Sequence, residues 1–311
     1  MTFGPDYFYK CPTCDAILKN RSIMSGNNFG ATYFSDGKCV APMLPDYPNL
    51  TKCRKCDTIL WLSDMKPLGE ARWGEEPRKW EEAHYVEHLE INDLYSALEK
   101  LENTPEISYP KEREIFIRQR IWWAHNRKAF ENLDEIDDWK SNIISLLHLL
   151  NLDDNDHLCI AAEIYRNICN FSKCLEITNS LPEDYDWFKN TTLEECRKKN
   201  PLTVTLRSKG EKIEEENHYD KDISTRLSEK IEQDKEAAKK AFAYYLELAE
   251  KCHPDALYEL GNLYNSLDSD FYNSAKAAEC YEYAALLGHK EALTELEELE
   301  NHDAGDYDPF I

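Results

Sequence analysis

Apolar residues recur at three- and four-residue steps from residue 75 to residue 200, and this period predicts a series of amphipathic helices. The apolar positions of two such helices are Ile91, Leu94, Leu98 and Leu101, followed by Ile136, Trp139, Ile143, Leu147 and Leu150. Polar breaks at Thr104-Pro105, Asn132 and Asp153-Asp154 separate the segments, and Pro77 and Pro110 suit a first helical turn. We therefore predict antiparallel helical hairpins over 75–200.

A second helical pattern covers residues 236–303 and repeats at an offset of 36 positions. The matching pairs are Ala241 with Ala277, Tyr245 with Tyr281, Ala249 with Ala285, His253 with His289, and Ala256 with Ala292. A period in the thirties predicts stacked helical hairpins, in which small residues let helices approach and Tyr and Leu fill the groove. Residues 201–235 are rich in charge and poor in large apolar groups, which predicts a charged linker or an exposed helix.

Residues 1–66 show short apolar segments separated by turns, the pattern of a small β domain. Ile17-Leu18 and Ile59 to Leu62 are predicted strands. Phe29 to Phe34 and Lys38 to Met43 are predicted to form a hairpin around the turn Ser35-Asp36-Gly37. The expected fold is therefore mainly α, built of helical-hairpin repeats, with a small β domain at its N-terminus.

Two CxxC pairs stand in this β domain, Cys11-Pro12-Thr13-Cys14 and Cys53-Arg54-Lys55-Cys56. Two intervening residues let both thiolates of a tight turn point at one ion about 2.3 Å away, and four thiolates complete a tetrahedron. The residue after the second Cys must tolerate a left-handed backbone, and Asp15 and Asp57 fill that place. We therefore predict a structural Zn²⁺ ion held by Cys11, Cys14, Cys53 and Cys56.

Iron is the alternative at this site, because four cysteines also hold a single iron or an iron–sulfur cluster. We predict a structural site, since four protein ligands leave no open position for water or substrate. Cys39, a fifth thiol nearby, is predicted to be a small buried residue rather than a ligand.

The two knuckles repeat each other 42 positions apart, as Cys-Pro-Thr-Cys-Asp-Ala-Ile-Leu and Cys-Arg-Lys-Cys-Asp-Thr-Ile-Leu. By these two knuckles on a small sheet, residues 1–66 resemble the zinc-ribbon family. The string Ala256 to Tyr264, with Ala275 to Ala278, Tyr281 and Gly288-His289, resembles the Sel1-like repeat, a relative of the tetratricopeptide repeat. Ala161 to Tyr165 followed by Cys174, with Asn170-Phe171 at the turn, resembles a tetratricopeptide hairpin within 75–200. The repeat resemblance implies protein binding on a concave face, and the architecture is similar to that of uncharacterised cytosolic bacterial proteins.

The net charge of -23 is unevenly distributed along the 311 residues. Residues 1–66 contain eight basic and six acidic residues, a net charge of +2, so the remainder carries -25. This acidity repels phosphate backbones and anionic lipid, which disfavours nucleic-acid and membrane partners and favours a cationic protein.

The predicted location is the cytoplasm. Met1 to Lys10 lacks the basic and apolar regions of a secretory signal, and the apolar runs are far shorter than the roughly 20 residues that span a bilayer. Eleven Cys without such a signal favour a reducing compartment and metal ligation over disulfides.

One enzyme motif is present, because His84-Tyr85-Val86-Glu87-His88 matches the HxxEH of zinc peptidases, whose two His share a helix face. The segment is Glu-rich, and the large α/β pattern of such peptidases does not follow it, so we interpret the match as chance. No GxSxG, P-loop or dinucleotide fingerprint occurs. We expect no enzymatic activity.

The leading functional hypothesis is a non-enzymatic adaptor or scaffold that binds a protein. One alternative is an immunity-type protein whose acidic surface neutralises a cationic toxin. Another is a nucleic-acid-binding zinc ribbon, since Lys10, Lys52, Arg54 and Lys55 flank the thiolates. A Cys₄ zinc centre carries -2, however, which these cations would balance.

Overall fold

A computed structural model describes residues 1–72, 78–102, 110–126, 133–206, 221–249, 253–266 and 271–304. Within these ranges the protein is mainly helical, and its strands lie in the first 85 residues. The chain divides into two compact units. Unit 1 contains Met1–Ile164, Ser172–Lys198 and Leu202–Asn217, and unit 2 contains Tyr165–Phe171, Lys199–Pro201 and the last four helices.

The β-strands of unit 1 are short. They are β1 (Thr2–Phe3), β2 (Asp6–Lys10), β3 (Ile17–Asn20), β4 (Ile23–Ser25), β5 (Thr32–Tyr33), β6 (Cys39–Val40), β7 (Leu50–Lys52), β8 (Ile59–Trp61), β9 (Gly69–Ala71) and β10 (His84–Tyr85). A four-stranded sheet has the order β10-β3-β2-β9, with β10 parallel to β3 and the other neighbours antiparallel. The pairs β1–β4, β5–β6 and β7–β8 are antiparallel. The predicted strands at Ile17 and Ile59 are confirmed, and β9 and β10 extend the sheet beyond residue 66.

The centre of the four-stranded sheet is buried by an aromatic stack. Phe8, in the middle of β2, is fully buried, and its ring lies 4.1 Å from that of Trp80 in a near-parallel stack. Gly69 on β9 permits this arrangement, because a Cβ atom there would lie 2.6 Å from the Trp80 ring. Trp80 can therefore pack on the sheet at this position because Gly69 of β9 has no side chain.

A buried ion cluster lies beside this stack. Asp6 and Lys19 are 2% and 3% exposed, and the Lys19 Nζ lies 3.2 Å from the Asp6 Oδ2. Arg21 lies 3.7 Å from the other carboxylate oxygen and donates to the Tyr85 hydroxyl at 2.6 Å. Because Tyr85 is on β10, these contacts attach a strand distant in sequence to the N-terminal hairpin.

The predicted hairpin around Ser35-Asp36-Gly37 is present, although β5 and β6 are only two residues each. Gly37 takes the left-handed conformation that the turn requires, with φ of +79°. The tip is buried in unit 1: Ser35 donates to Glu163 at 2.7 Å, and the Asp36 carbonyl accepts from the Trp123 indole N–H at 2.9 Å. The prediction that Cys39 is buried is wrong, because β6 is exposed along its whole length.

The helices before residue 200 are α1 (Ile91–Glu102), α2 (Pro110–His125), α3 (Leu133–Leu149), α4 (Asn155–Asn167), α5 (Phe171–Ser180) and α6 (Asp186–Arg197). Helix α1 packs on α2, and α2 packs on α3. The predicted apolar positions Leu94, Leu98 and Leu101, and Ile136 to Leu150 at their helical steps, are buried. Pro110 is the first residue of α2, as predicted. The predicted breaks at Thr104-Pro105 and Asn132, together with Pro77, lie outside the described residues.

Asp154 ends the predicted break before α4 and caps that helix. Its Oδ1 accepts hydrogen bonds from the backbone N–H groups of Asp156 at 2.8 Å and His157 at 3.2 Å. These two bonds lower the pKa of Asp154 because they stabilise the ionised carboxylate, and the bond from His157 has the larger effect. The polar break is therefore a helix start signal.

Unit 2 ends with four helices, α7 (Lys221–Ala249), α8 (Pro254–Asn265), α9 (Ser274–Leu286) and α10 (Glu291–Ala304). Each packs on the next. Residues 221–235, in the segment predicted as a linker or an exposed helix, belong to α7, while 207–220 lie outside the described residues. A Cβ at Gly261 would lie 2.6 Å from the Tyr281 ring, and Ala277, Ala284 and Ala292 are buried. The predicted close approach of helices at small residues is confirmed.

Candidate metal centre

Each CxxC pair forms the turn of a β-hairpin. The first knuckle joins β2 to β3 and the second joins β7 to β8, and the closing pairs, Lys10 with Ile17 and Lys52 with Ile59, stand 42 positions apart. The repeat seen in the sequence is therefore a repeat of strand register as well. This places the two knuckles at the ends of two equivalent hairpins.

The backbone of the two knuckles is the same. Cys11 N–H donates to the Ala16 carbonyl at 2.8 Å, and Cys53 N–H donates to the Thr58 carbonyl at 2.9 Å. The Cys carbonyl in turn accepts from the N–H of Asp15 or Asp57, at 3.1 and 2.8 Å. Both Asp residues are left-handed, with φ of 61° and 55°, as the spacing predicts.

The four predicted ligands converge. The Sγ atoms of Cys11 and Cys56 are 3.6 Å apart, those of Cys14 and Cys53 are also 3.6 Å apart, and all four lie within 4.8 Å of one another. A tetrahedral ion with sulfur ligands at about 2.3 Å requires sulfur–sulfur distances of about 3.8 Å. The separations fit one such ion and are far from the roughly 2.05 Å of a disulfide. These four cysteines can therefore hold a metal ion.

Burial differs between the first and second cysteine of each knuckle. Cys11 and Cys53 are fully buried, while Cys14 and Cys56 are partly exposed. The buried pair packs with Leu18, Leu60, Leu62 and Val86 in a small apolar cluster. The thiol groups are thus part of the core of the β region, and any ion held there would be enclosed on one side by apolar side chains.

The thiols differ in acidity. Hydrogen bonds from the Thr58 hydroxyl and backbone N–H lower the pKa of Cys56 to about 6, and the Cys56 Sγ lies 3.1 Å from the Thr58 Oγ1. At Cys14, a backbone hydrogen bond from Ala16 lowers the pKa, but burial and the three neighbouring thiols outweigh it and raise the pKa to about 12. Burial also raises the pKa of Cys53. A thiol cluster of this kind needs a cation at its centre to ionise fully.

Three of the basic residues near the knuckles form ion pairs. Lys10 lies 2.8 Å from Asp15, and Lys52 lies 2.8 Å from Asp93 and 4.0 Å from Asp57. Each lysine thus precedes its knuckle and contacts the left-handed Asp that ends it. Arg54 pairs with Glu87. These pairs hold cationic groups beside the thiols, and each of these cationic groups is paired with a carboxylate.

The HxxEH segment does not form the helical ligand pair of a peptidase. His84 is in strand β10, and His88 lies beyond it, with its Nε2 hydrogen-bonded to the Asp46 carbonyl at 2.9 Å. Burial lowers the pKa of His84. Among the residues that the structure describes, the four cysteines are the group that brings several metal-ligand side chains together, and neither His belongs to it.

Comparisons with protein-family models, with curated proteins and with solved structures found no match to this chain. In the described part of the chain, every helix is too short or too polar to cross a membrane.

Proposed function

We propose that this protein is a scaffold that binds a protein partner through its acidic C-terminal helices, and that a structural zinc ion holds its N-terminal β region together. The zinc proposal rests on the convergence of four thiols at tetrahedral spacing in a Cys₄ set, which zinc fills in structural sites. Two knuckles on equivalent hairpins support the assignment to a zinc-ribbon type of module. The chemistry of the ion is to neutralise the thiolates and fix the two hairpins, with no position for a substrate.

The packing of the C-terminal helices supports the assignment to a Sel1-like, tetratricopeptide-related repeat. Helices α8, α9 and α10 pack in order, and Gly261 lets α8 approach the Tyr281 ring on α9. The Tyr281 hydroxyl donates to the Asn262 Oδ1 at 2.8 Å, which fixes the ring in the groove. Successive helices that each contact only their neighbours are the basis of repeat scaffolds, which bind proteins along an extended surface.

A single surface carries the proposal of protein binding, the exposed side of α9. Tyr283 and Leu286 are 60% and 74% exposed and lie three residues apart, so they share one side of the helix. Glu279 and Glu282 are exposed on the same side. We name Glu279, Glu282, Tyr283 and Leu286 the α9 face. Large apolar side chains beside carboxylates favour a partner that presents both apolar and basic groups.

Crosslinking in the full chain tests this proposal. A photoreactive benzoylphenylalanine in place of Tyr283 is expected to capture a partner in the cells that produce the protein, and the same residue in place of Leu152 is not. Leu152 is a matched control because it is a 53% exposed leucine in unit 1.

The captured partner must then bind in purified form. We expect a Tyr283→Ser/Leu286→Ser double variant to weaken that binding at least about tenfold, and Leu152→Ser to leave it unchanged. Equal affinity of the partner for the double variant and the native protein would refute the α9 face as the binding surface.

The cationic-toxin hypothesis is the special case of this proposal in which the partner is a basic toxin, and the same capture experiment identifies it. The nucleic-acid hypothesis has less support. Lys10, Lys52 and Arg54, which would have to meet a phosphate backbone, are each paired with a carboxylate. Retention of RNA by the full chain that falls steeply with salt would favour the nucleic-acid hypothesis instead.

A further inference from the structure

A cavity of about 470 Å³ lies within unit 1, between the chain that includes β6 and the helices α1 and α2. None of the four metal-ligand cysteines lines it. Its volume is within the range of roughly 300–1,000 Å³ that small-molecule sites occupy. The cavity is therefore separate from the metal centre and large enough for a compound with one or two rings.

The walls of the cavity are largely apolar and fixed in place. Leu50 and Leu94 line it and also belong to the buried core that joins β7 to α1. Trp123 lines it from α2, and its indole N–H donates to the buried Asp36 carbonyl at 2.9 Å. Because the core holds the leucines and a hydrogen bond holds the indole, this side of the cavity is preformed for a planar apolar group.

Two cationic side chains stand around the Trp123 ring. The guanidinium carbon of Arg120 lies 5.6 Å from the ring centroid, and the Lys38 Nζ lies 5.9 Å from it. Arg120 is also stacked 3.8 Å above the Phe116 ring and donates to Asp46 at 2.8 Å. Burial lowers the pKa of Arg120, and the Asp46 carboxylate acts against that shift.

The charge of the lining is positive, although the protein as a whole is strongly acidic. Lys38 and Arg120 are the cationic lining residues and Asp46 is the acidic one, which leaves a surplus of one positive charge. Asp46 is already engaged by Arg120 through its carboxylate and by His88 through its carbonyl. An anionic group that enters the cavity therefore meets two cations near one aromatic ring, while a cationic group is repelled.

We propose that this cavity binds a small aromatic carboxylate. The ring packs against Trp123 and the leucine side of the cavity, and the carboxylate lies between Lys38 and Arg120. Stacking on the indole and burial of the ring provide the apolar part of the binding. A charge-assisted hydrogen bond from a guanidinium or ammonium group provides the preference for an anion.

Three probes that share an indole ring and differ in charge test the proposal on the full chain. They are indole-3-acetate (anionic), indole-3-acetamide (neutral) and tryptamine (cationic), each titrated by isothermal calorimetry. We expect the acetate to bind at one site per chain, about tenfold more tightly than the amide, and tryptamine to bind more weakly still. Absent binding of the acetate, or equal affinity for all three probes, would overturn the proposal.

Two arginines of α2 supply a matched pair of variants. Arg120→Gln is expected to abolish the preference for the acetate over the amide. Arg113→Gln is expected to leave it unchanged, since Arg113 pairs with Asp64 and does not line the cavity. If both variants retain the tenfold preference, the acetate binds elsewhere and the proposal fails.

A measurement on the native protein keeps the test independent of how the variants fold. Cys39 lines the cavity and has an exposed thiol. We expect saturating indole-3-acetate to slow alkylation of Cys39 by iodoacetamide at least about threefold, measured by peptide mass spectrometry. The internal reference is the alkylation rate of Cys280, which is partly exposed and does not line the cavity. Unchanged alkylation of Cys39 under saturating acetate would contradict binding at this cavity.

Discussion

The knuckle region and the C-terminal helices of this protein each bury a small apolar core, but they do so by different means. Between the knuckles, four thiols converge within 4.8 Å, and two of them are fully buried in an apolar cluster of few residues. Between α8 and α9, Gly261 and the ring of Tyr281 fit by shape. The first region brings together four cysteines that can hold a metal ion, whereas the second depends on a repeated pattern of small and large side chains.

The largest predicted effect is removal of a metal ligand, which breaks the first region alone. Cys53→Ser is expected to lower the bound metal from about one ion per chain to near zero, because a buried thiolate ligand is lost. Structural zinc contributes on the order of 10 kcal/mol to small modules of this kind, so the β2–β3 and β7–β8 hairpins should lose amide-exchange protection. Cys39→Ser is the matched control and should keep the full metal content, because Cys39 lies outside the ligand cluster.

The metal itself is identified by the same measurement. Elemental analysis that finds about one zinc per native chain supports the structural zinc proposal. Iron with a charge-transfer absorption in the visible range would support the iron alternative instead of zinc. If the native protein contains neither metal, the proposal of a metal centre is refuted.

The next largest effect on stability is expected at the buried ion cluster of Asp6, Lys19 and Arg21. Asp6→Ala leaves Lys19, 3% exposed, without its carboxylate at 3.2 Å, and breaking a buried pair in this way costs about 3–5 kcal/mol. Asp64→Ala removes an exposed carboxylate from its pair with Arg113 and should cost little. Urea unfolding of both variants measures the difference, and equal free energies of unfolding would show that the buried pair contributes no more than a surface pair.

A smaller effect is expected in the second region. Gly261→Ala places a Cβ only 2.6 Å from the nearest carbon of the Tyr281 ring, and overpacking of this kind costs about 1–3 kcal/mol. Hydrogen exchange of α8 and α9 should speed up while the metal content stays unchanged. In a Tyr281→Leu background the same substitution should cost less, and a full additive loss in the double variant would argue against the predicted clash.

The smallest effect is expected at the cap of α4. Asp154→Ala should lower the melting temperature slightly at neutral pH, since two backbone N–H groups lose their acceptor. The folded-state pKa of Asp154 lies below its ordinary value. Its contribution to stability is therefore fully present above the unfolded-state pKa of about 4, and it disappears as the pH falls through the folded-state pKa. A difference between native and variant that persists well below that pH would contradict the capping role.

The two regions also differ in how much of them local sequence predicts. The convergence of the four cysteines was predictable to the residue, because CxxC spacing and a following Asp fix a turn of only a few residues. The helix positions of Leu94, Trp139 and Ile143 follow from periodicity, and the small residues at Ala277 and Ala292 from the 36-residue offset. The cavity was not predictable, since its lining comes from residues 38 to 124 and only a folded chain brings Lys38, Leu50 and Arg120 together.

The sequence by itself determined the two knuckles, their four cysteines and the periodic helices, because these depend on residues a few positions apart. Only the tertiary structure decided that the Ser35-Asp36 turn is buried, that Cys39 is exposed, and that the HxxEH segment enters a sheet through His84. Those outcomes depend on partners far along the chain: Ser35 bonds to Glu163, 128 positions away. A buried polar turn is stable only when such partners satisfy its hydrogen bonds, and no local pattern states which residues they are.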